Sequence, residues 1–115
     1  MRPEVRDTAI RDIGCICCLR EGEVTLASKH HLLTTGLHGN GKRRGEQFTV
    51  GLCPWHHQGV PFDGFTLARM RGIFGPSYHH HAKAFRDRYG DDESLLAVQN
   101  ELIGRWRESF VGVRP

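Results

Sequence analysis

With 115 residues and 38% hydrophobic composition, the chain is sized for one small domain with a modest core, neither disordered nor membrane-embedded. A formal charge of +3 and a pI near 8.9 are mildly basic, which suits a polyanionic partner but argues little alone. No apolar run approaches bilayer length, and the charged start "MRPEVRDTAIRDIG" lacks a signal-peptide core, so a cytoplasmic protein is expected.

Residues 3–13 predict a short helix, with Pro3 early and Gly14 past its end. "CICCLREG" (15–22) reads as a tight knuckle. "EVTLASKHHLL" (23–33) predicts a strand ending near a histidine pair. "TTGLHGNGKRRG" (34–45) is a Gly-rich loop, and "EQFTVGL" (46–52) a second strand. "PWHHQG" (54–59) fits a helix start with Pro54 in the first turn, and "PFDGFTLARMRGIFGP" (61–76) one or two helical turns between glycines. Ser77 suits the N-cap of a helix through "HHHAKAFRDRY", which Gly90 stops. Acids then open a C-terminal helix over about 92–109, with Leu95, Leu102 and Trp106 near helical spacing. No internal repeat or linker divides the chain.

A reducing compartment argues against disulfides, so Cys15, Cys17, Cys18 and Cys53 read as metal ligands. Cys15 and Cys18 have the two-residue gap of a zinc knuckle, and Cys53 and His56 repeat it. Two such halves supply the four N/S ligands of a closed tetrahedral zinc site, and a small core gains folding free energy from such a staple. Cys15 with Cys17 is the other pairing; the commoner gap favours Cys18 and leaves Cys17 a spare thiol. Ordinary buried cysteines would not account for the repeated spacing.

His57 directly follows His56 and points too far round a helix to join the same tetrahedron. His30 and His31 sit on a strand and face opposite sides, so one of them is able to meet His57 across the hairpin. A lone histidine is more often a satisfied polar residue than a ligand. Two adjacent pairs flanking a basic loop are harder to dismiss, and an open imidazole site has the character of a catalytic centre. Lys42, Arg43 and Arg44 in that loop read most simply as solvated surface. Beside a metal centre they become phosphate contacts.

Together, "CICC…KHHLL…FTVGLCPWHHQG" resembles the HNH, or ββα-metal, endonuclease motif. More specifically, "GCICCLREG", "HHLLTTG", "FTVGLCPWHHQGV" and "FGPSYHHHAKAFRDRYG" resemble the Ref-like family of phage-encoded recombination-enhancement nucleases, over about residues 14–96. The resemblance implies a small α+β fold over residues 1–115: a zinc-stapled ββα-metal core (about 14–90) with flanking helices. It implies DNA cleavage with a divalent ion, in association with RecA filaments. Matched residue by residue, it implies His31 as general base and His30 and His57 as ligands of the divalent ion. It makes Cys15, Cys18, Cys53 and His56 the zinc ligands. Of His79, His80 and His81, His80 falls in register as a third divalent ligand, ahead of Phe85. The motif's middle asparagine is not evident; Glu46, Gln47 and Asn40 lie nearby. Only 14 residues precede Cys15, without the family's basic N-terminal arm, which leads to an expectation of weaker grip on DNA.

The chemistry is consistent with those roles. Neutral imidazole titrates near physiological pH and suits the base at His31. A divalent ion on His30, His57 and His80 would neutralise charge on the phosphate and leaving oxygen. Mg²⁺ or Mn²⁺ is expected, while imidazoles bias affinity toward Zn²⁺, Ni²⁺ or Co²⁺. Lys42, Arg43 and Arg44 would hold flanking phosphates. The competing reading is a zinc-stabilised module that binds nucleic acid or a recombinase without cutting. It needs only the four zinc ligands and leaves His30, His31 and His57 without a task. A small-molecule zinc hydrolase has no sequence feature of its own.

Overall fold

The computed structural model describes residues 1–32 and 45–111, excluding the side chain of Val111. Pro3 opens α1 (Pro3–Ile13) in its first turn, where a missing N–H costs nothing. Gly14 ends it with φ +87, and a Cβ there would lie 2.4 Å from the Thr25 carbonyl oxygen. Cys15 N donates to that same oxygen at 3.1 Å, so this close approach fixes where the first cysteine enters the core.

Two short helices then share one construction. Cys15 is the N-cap of α2 (Ile16–Arg20), its sulfur accepting from Cys18 N at 3.4 Å. Cys53 is the N-cap of α3 (Pro54–Gln58), its sulfur accepting from His56 N at 3.4 Å. In each case the capping sulfur satisfies an orphan N–H of the first turn. It also turns inward toward the cysteine or histidine three residues on.

Between them lie β1 (Ser28–His31) and β2 (Thr49–Leu52), which pair antiparallel with His30 opposite Val50 and His31 opposite Thr49. Both strands are shorter than the sequence predicts. Val24 and Leu26 have strand-like character, yet they are 78% and 87% exposed. The Thr25 carbonyl is taken by Cys15 rather than by a neighbouring strand. Residues 45–48 form a turn, with Phe48 N donating to Gly45 O at 2.9 Å.

The ambiguous 61–76 segment contains α4 (Leu67–Phe74), capped by Thr66. Next comes α5 (Ala82–Tyr89), which starts later than predicted, with His81 at its N-cap. Ser77 instead holds the preceding turn. Its Oγ accepts from His80 N at 3.0 Å and its carbonyl from His81 N at 2.9 Å. Finally α6 (Asp92–Val111) is the last described element.

Trp55, Met70, Phe74, Phe85, Tyr89, Leu95 and Leu96 bury around the four cysteines as the main core. Burying each such side chain stabilises by about 1.5–3 kcal/mol. A smaller cluster of Ala9, Ile10 and Ile103 ties α1 to α6, with Trp106 packed on it. Buried Gln99 reaches from α6 to accept from Gly51 N at 2.7 Å, which fixes β2 from behind. The described residues thus form a small α+β arrangement with a two-stranded sheet followed directly by α3. Among them no helix is long and apolar enough to cross a membrane.

Candidate metal centre and histidine cleft

The two capped knuckles bring Cys15, Cys18, Cys53 and His56 together in the core, their ligand atoms all within 4.8 Å of one another. His56 Nδ1 lies 3.4 Å from each of the three sulfurs, and Cys18 Sγ lies 3.7 Å from Cys53 Sγ. A zinc tetrahedron with Zn–S of about 2.3 Å and Zn–N of about 2.0–2.1 Å has edges of about 3.8 Å between sulfurs and about 3.5 Å from sulfur to nitrogen. The buried cluster therefore has the size and donor set for a structural metal such as zinc.

Its electrostatics point the same way. Contacts from the Cys17, Cys18 and Cys53 thiols hold Cys15 far below its usual pKa, while bonds to Cys15 and Cys53 push Cys18 far up. Burial opposes charge on His56, yet Cys15 and Cys53 outweigh it and raise its pKa to about 9. Closely packed thiols of this kind share one negative charge poorly, and a cation lets all three ionise.

His56 is also oriented from behind. Its Nε2 donates to the Phe74 carbonyl at 2.7 Å and lies 3.2 Å from the Tyr89 hydroxyl. That donation leaves the Nδ1 lone pair for a metal. Tyr89 in turn meets Glu21 at 2.7 Å, and Glu21 pairs with Arg88. Arg88 first, against burial, keeps the Glu21 carboxyl below its ordinary range. Cys17 lies outside that cluster, so the geometry favours Cys18 as the partner of Cys15. Burial, then Cys15, pushes its thiol well up.

A cleft of about 160 Å³ is lined by His30, His31 and His57 together with Tyr78, Arg86 and Asp92. His30 comes from β1 and His57 from α3, and their ring centroids are 3.7 Å apart. Burial first, then the neighbouring His57, lowers the His30 pKa to about 4. Burial also lowers His57. Both shifts favour the neutral rings, which offer lone pairs. Buried His57 Nδ1 has no hydrogen-bond partner among the described residues. An orphaned, desolvated nitrogen is costly, and the neighbouring His30 ring is a second imidazole within reach.

His31, as strand alternation requires, turns away from the His57 ring. Its Nε2 lies 3.1 Å from Glu46 Oε1, and the other carboxylate oxygen accepts from Lys29 Nζ at 3.0 Å. Lys29 also reaches Asp7 at 3.2 Å. Lys29, then His31, holds the Glu46 carboxyl below its ordinary range.

The structure does not bring His80 to the His30–His57 pair. Its Nε2 bonds the Gly59 carbonyl at 2.9 Å, and its ring packs against Trp55 with centroids 5.8 Å apart. Gly59 has φ +71, and a Cβ there would meet His80 Nε2 at 2.4 Å. His80 therefore braces the end of α3, a consequence of the Ser77 turn that keeps residues 78–80 out of α5. His79 is exposed, and His81 Nδ1 accepts from Ser77 N at 3.3 Å. Lys42, Arg43 and Arg44, with Asn40, lie outside the described residues.

Sequence reasoning gave Arg86 no role, yet it lines the cleft and donates to the Tyr78 hydroxyl at 3.0 Å. Its place in α5, one residue after core Phe85, is the signal that helical phasing offered. Tyr89 and Glu21, far apart in sequence, had no such signal.

Residues 4–104 match the model of a family described as recombination enhancement, RecA-dependent nuclease. No curated protein and no solved structure matches the chain.

Proposed function

The chain belongs to the recombination-enhancement, RecA-dependent nuclease family, and from that premise we propose that it is a metal-dependent DNA endonuclease of HNH type. The observation that carries the metal-dependent reading is the His30–His57 pair, with its unpartnered Nδ1, beside His31 in one cleft. The single domain, the phage origin and action in the host cytoplasm belong to the same proposal.

His30 and His57 hold the divalent ion through neutral imidazoles, with no proton to lose first. When bound, that ion neutralises charge developing on the phosphate and the 3′ leaving oxygen. Mg²⁺ or Mn²⁺ is the proposed occupant; Zn²⁺, Ni²⁺ and Co²⁺ suit the imidazoles in affinity. His31 takes the proton of the attacking water as general base. Arg86, which also lines the cleft, offers a guanidinium to a phosphate oxygen. Lys42, Arg43 and Arg44 hold flanking phosphates. Cys15, Cys18, Cys53 and His56 hold structural zinc and set the angle at which α3 presents His57. DNA is the substrate, and a RecA-type filament is the partner that the family description suggests.

Metal stoichiometry tests this reading against the zinc-stabilised binding module. Wild type should hold one tight zinc and one exchangeable Mn²⁺ per chain, and His57→Ala should keep only the zinc. A wild type with a single zinc, no second ion and no cleavage would favour the module.

A further inference from the structure

The base at His31 needs more than a neutral ring. An imidazole has two distinct nitrogens, and the partner of one decides which carries the proton. His31 is 16% exposed at its side chain, and its Nε2 faces Glu46 Oε1 at 3.1 Å.

Glu46 is itself held from two directions. Lys29 Nζ takes its other carboxylate oxygen at 3.0 Å, so the oxygen left over is the one turned to His31. Its backbone is fastened by a buried relay. The Glu46 carbonyl accepts from Thr49 Oγ1 at 2.9 Å, and Thr49 Oγ1 accepts from Arg6 Nε at 2.9 Å. Arg6 also donates to Thr49 O at 2.6 Å and to Asn100 Oδ1 at 2.9 Å. Arg6 is only 7% exposed, and burying a guanidinium is expensive unless it is fully bonded. That buried cation bonds Thr49, and Thr49 in turn holds the Glu46 carbonyl. A surface Lys–Glu pair alone would be worth little. The relay and the half-buried histidine separate this arrangement from one.

We infer that Glu46 is the positioning residue for His31, holding its Nε2–H so that Nδ1 is the basic nitrogen; the inference rests on the nuclease reading above. In the reaction, a water proton passes to His31 Nδ1 as the water oxygen bonds to phosphorus. The P–O3′ bond breaks and its electron pair leaves on the 3′ oxygen, while Nε2–H stays with Glu46. The carboxylate also stabilises the imidazolium that forms, as carboxylate–histidine pairs do elsewhere.

The test uses ¹⁵N NMR of zinc-loaded protein, with cleavage kinetics of the same samples. Wild-type His31 should be the Nε2–H tautomer, and Glu46→Gln should raise the Nδ1–H population. Glu46→Gln should lower kcat about 10-fold or more, with KM, zinc content and melting temperature unchanged. A merely structural Glu46 would instead lower the melting temperature and leave kcat per folded molecule intact. An Nδ1–H tautomer in wild type, or Glu46→Gln cutting at wild-type kcat, overturns the inference. If wild type cuts nothing, the nuclease reading fails, and the tautomer still decides whether Glu46 sets His31.

Discussion

His30 and His57 stack across the junction of β1 and α3, ring centroids 3.7 Å apart and planes inclined by 35°. Two imidazoles this close cannot both be charged without strong repulsion, and burial already disfavours the charge on each. Both effects favour the pair as neutral rings.

That relationship has a pH consequence. The folded His30 pKa of about 4 lies below the ordinary value of 6.5. Between those values the unfolded chain binds more protons than the folded one, so stability rises with pH there. The melting temperature of zinc-loaded protein should therefore fall as pH drops from 6.5 toward 4. His30→Gln, compared at equal zinc content by calorimetry, should flatten that slope.

The buried cysteine cluster makes a second, sharper prediction. Structural zinc binding in small domains contributes on the order of 10 kcal/mol of apparent free energy, comparable to the 5–15 kcal/mol total stability usual for a domain. Chelation, or Cys53→Ser, should abolish the cooperative thermal transition seen by circular dichroism. Cys17→Ala should retain one zinc per chain by mass spectrometry and melt only a few degrees lower. Loss of zinc from Cys17→Ala would mean the ligand set is wrong.

Tyr89 tests the orientation of His56. Its hydroxyl joins His56 Nε2, the Phe74 carbonyl and Glu21. Removing such an outer partner typically weakens metal affinity about 10- to 100-fold. Because Phe74 O still accepts from His56 at 2.7 Å, Tyr89→Phe should sit near the lower end, about 10-fold. Competition with a chromophoric chelator measures it, and unchanged affinity would remove Tyr89 from the account.

The Cys15–Cys18–Cys53–His56 cluster was legible because spacing within a knuckle is a local property: sulfur caps a turn and its partner follows three residues on. Pro3, Gly14, Pro54 and Gly90 marked helix ends for equally local reasons. The strands were overestimated because β-propensity at Val24 and Leu26 says nothing about whether a partner strand exists. Ser77 was misplaced by one turn, since a serine caps a tight turn as readily as a helix, and that shift moved His80 to Gly59. The His31–Glu46 contact depends on how the chain returns into β2, and the Arg6 relay on packing between α1 and α6. Neither has a local signature.

The most direct measurement is cleavage of labelled single-stranded and D-loop DNA by zinc-loaded protein, with Mg²⁺ or Mn²⁺, with and without a RecA filament. His31→Ala is run beside wild type. If the nuclease reading holds, wild type should cut only with the divalent ion, and His31→Ala at a rate at least about 100-fold lower. Equal cutting by both proteins, or none by wild type with zinc in place, would contradict it.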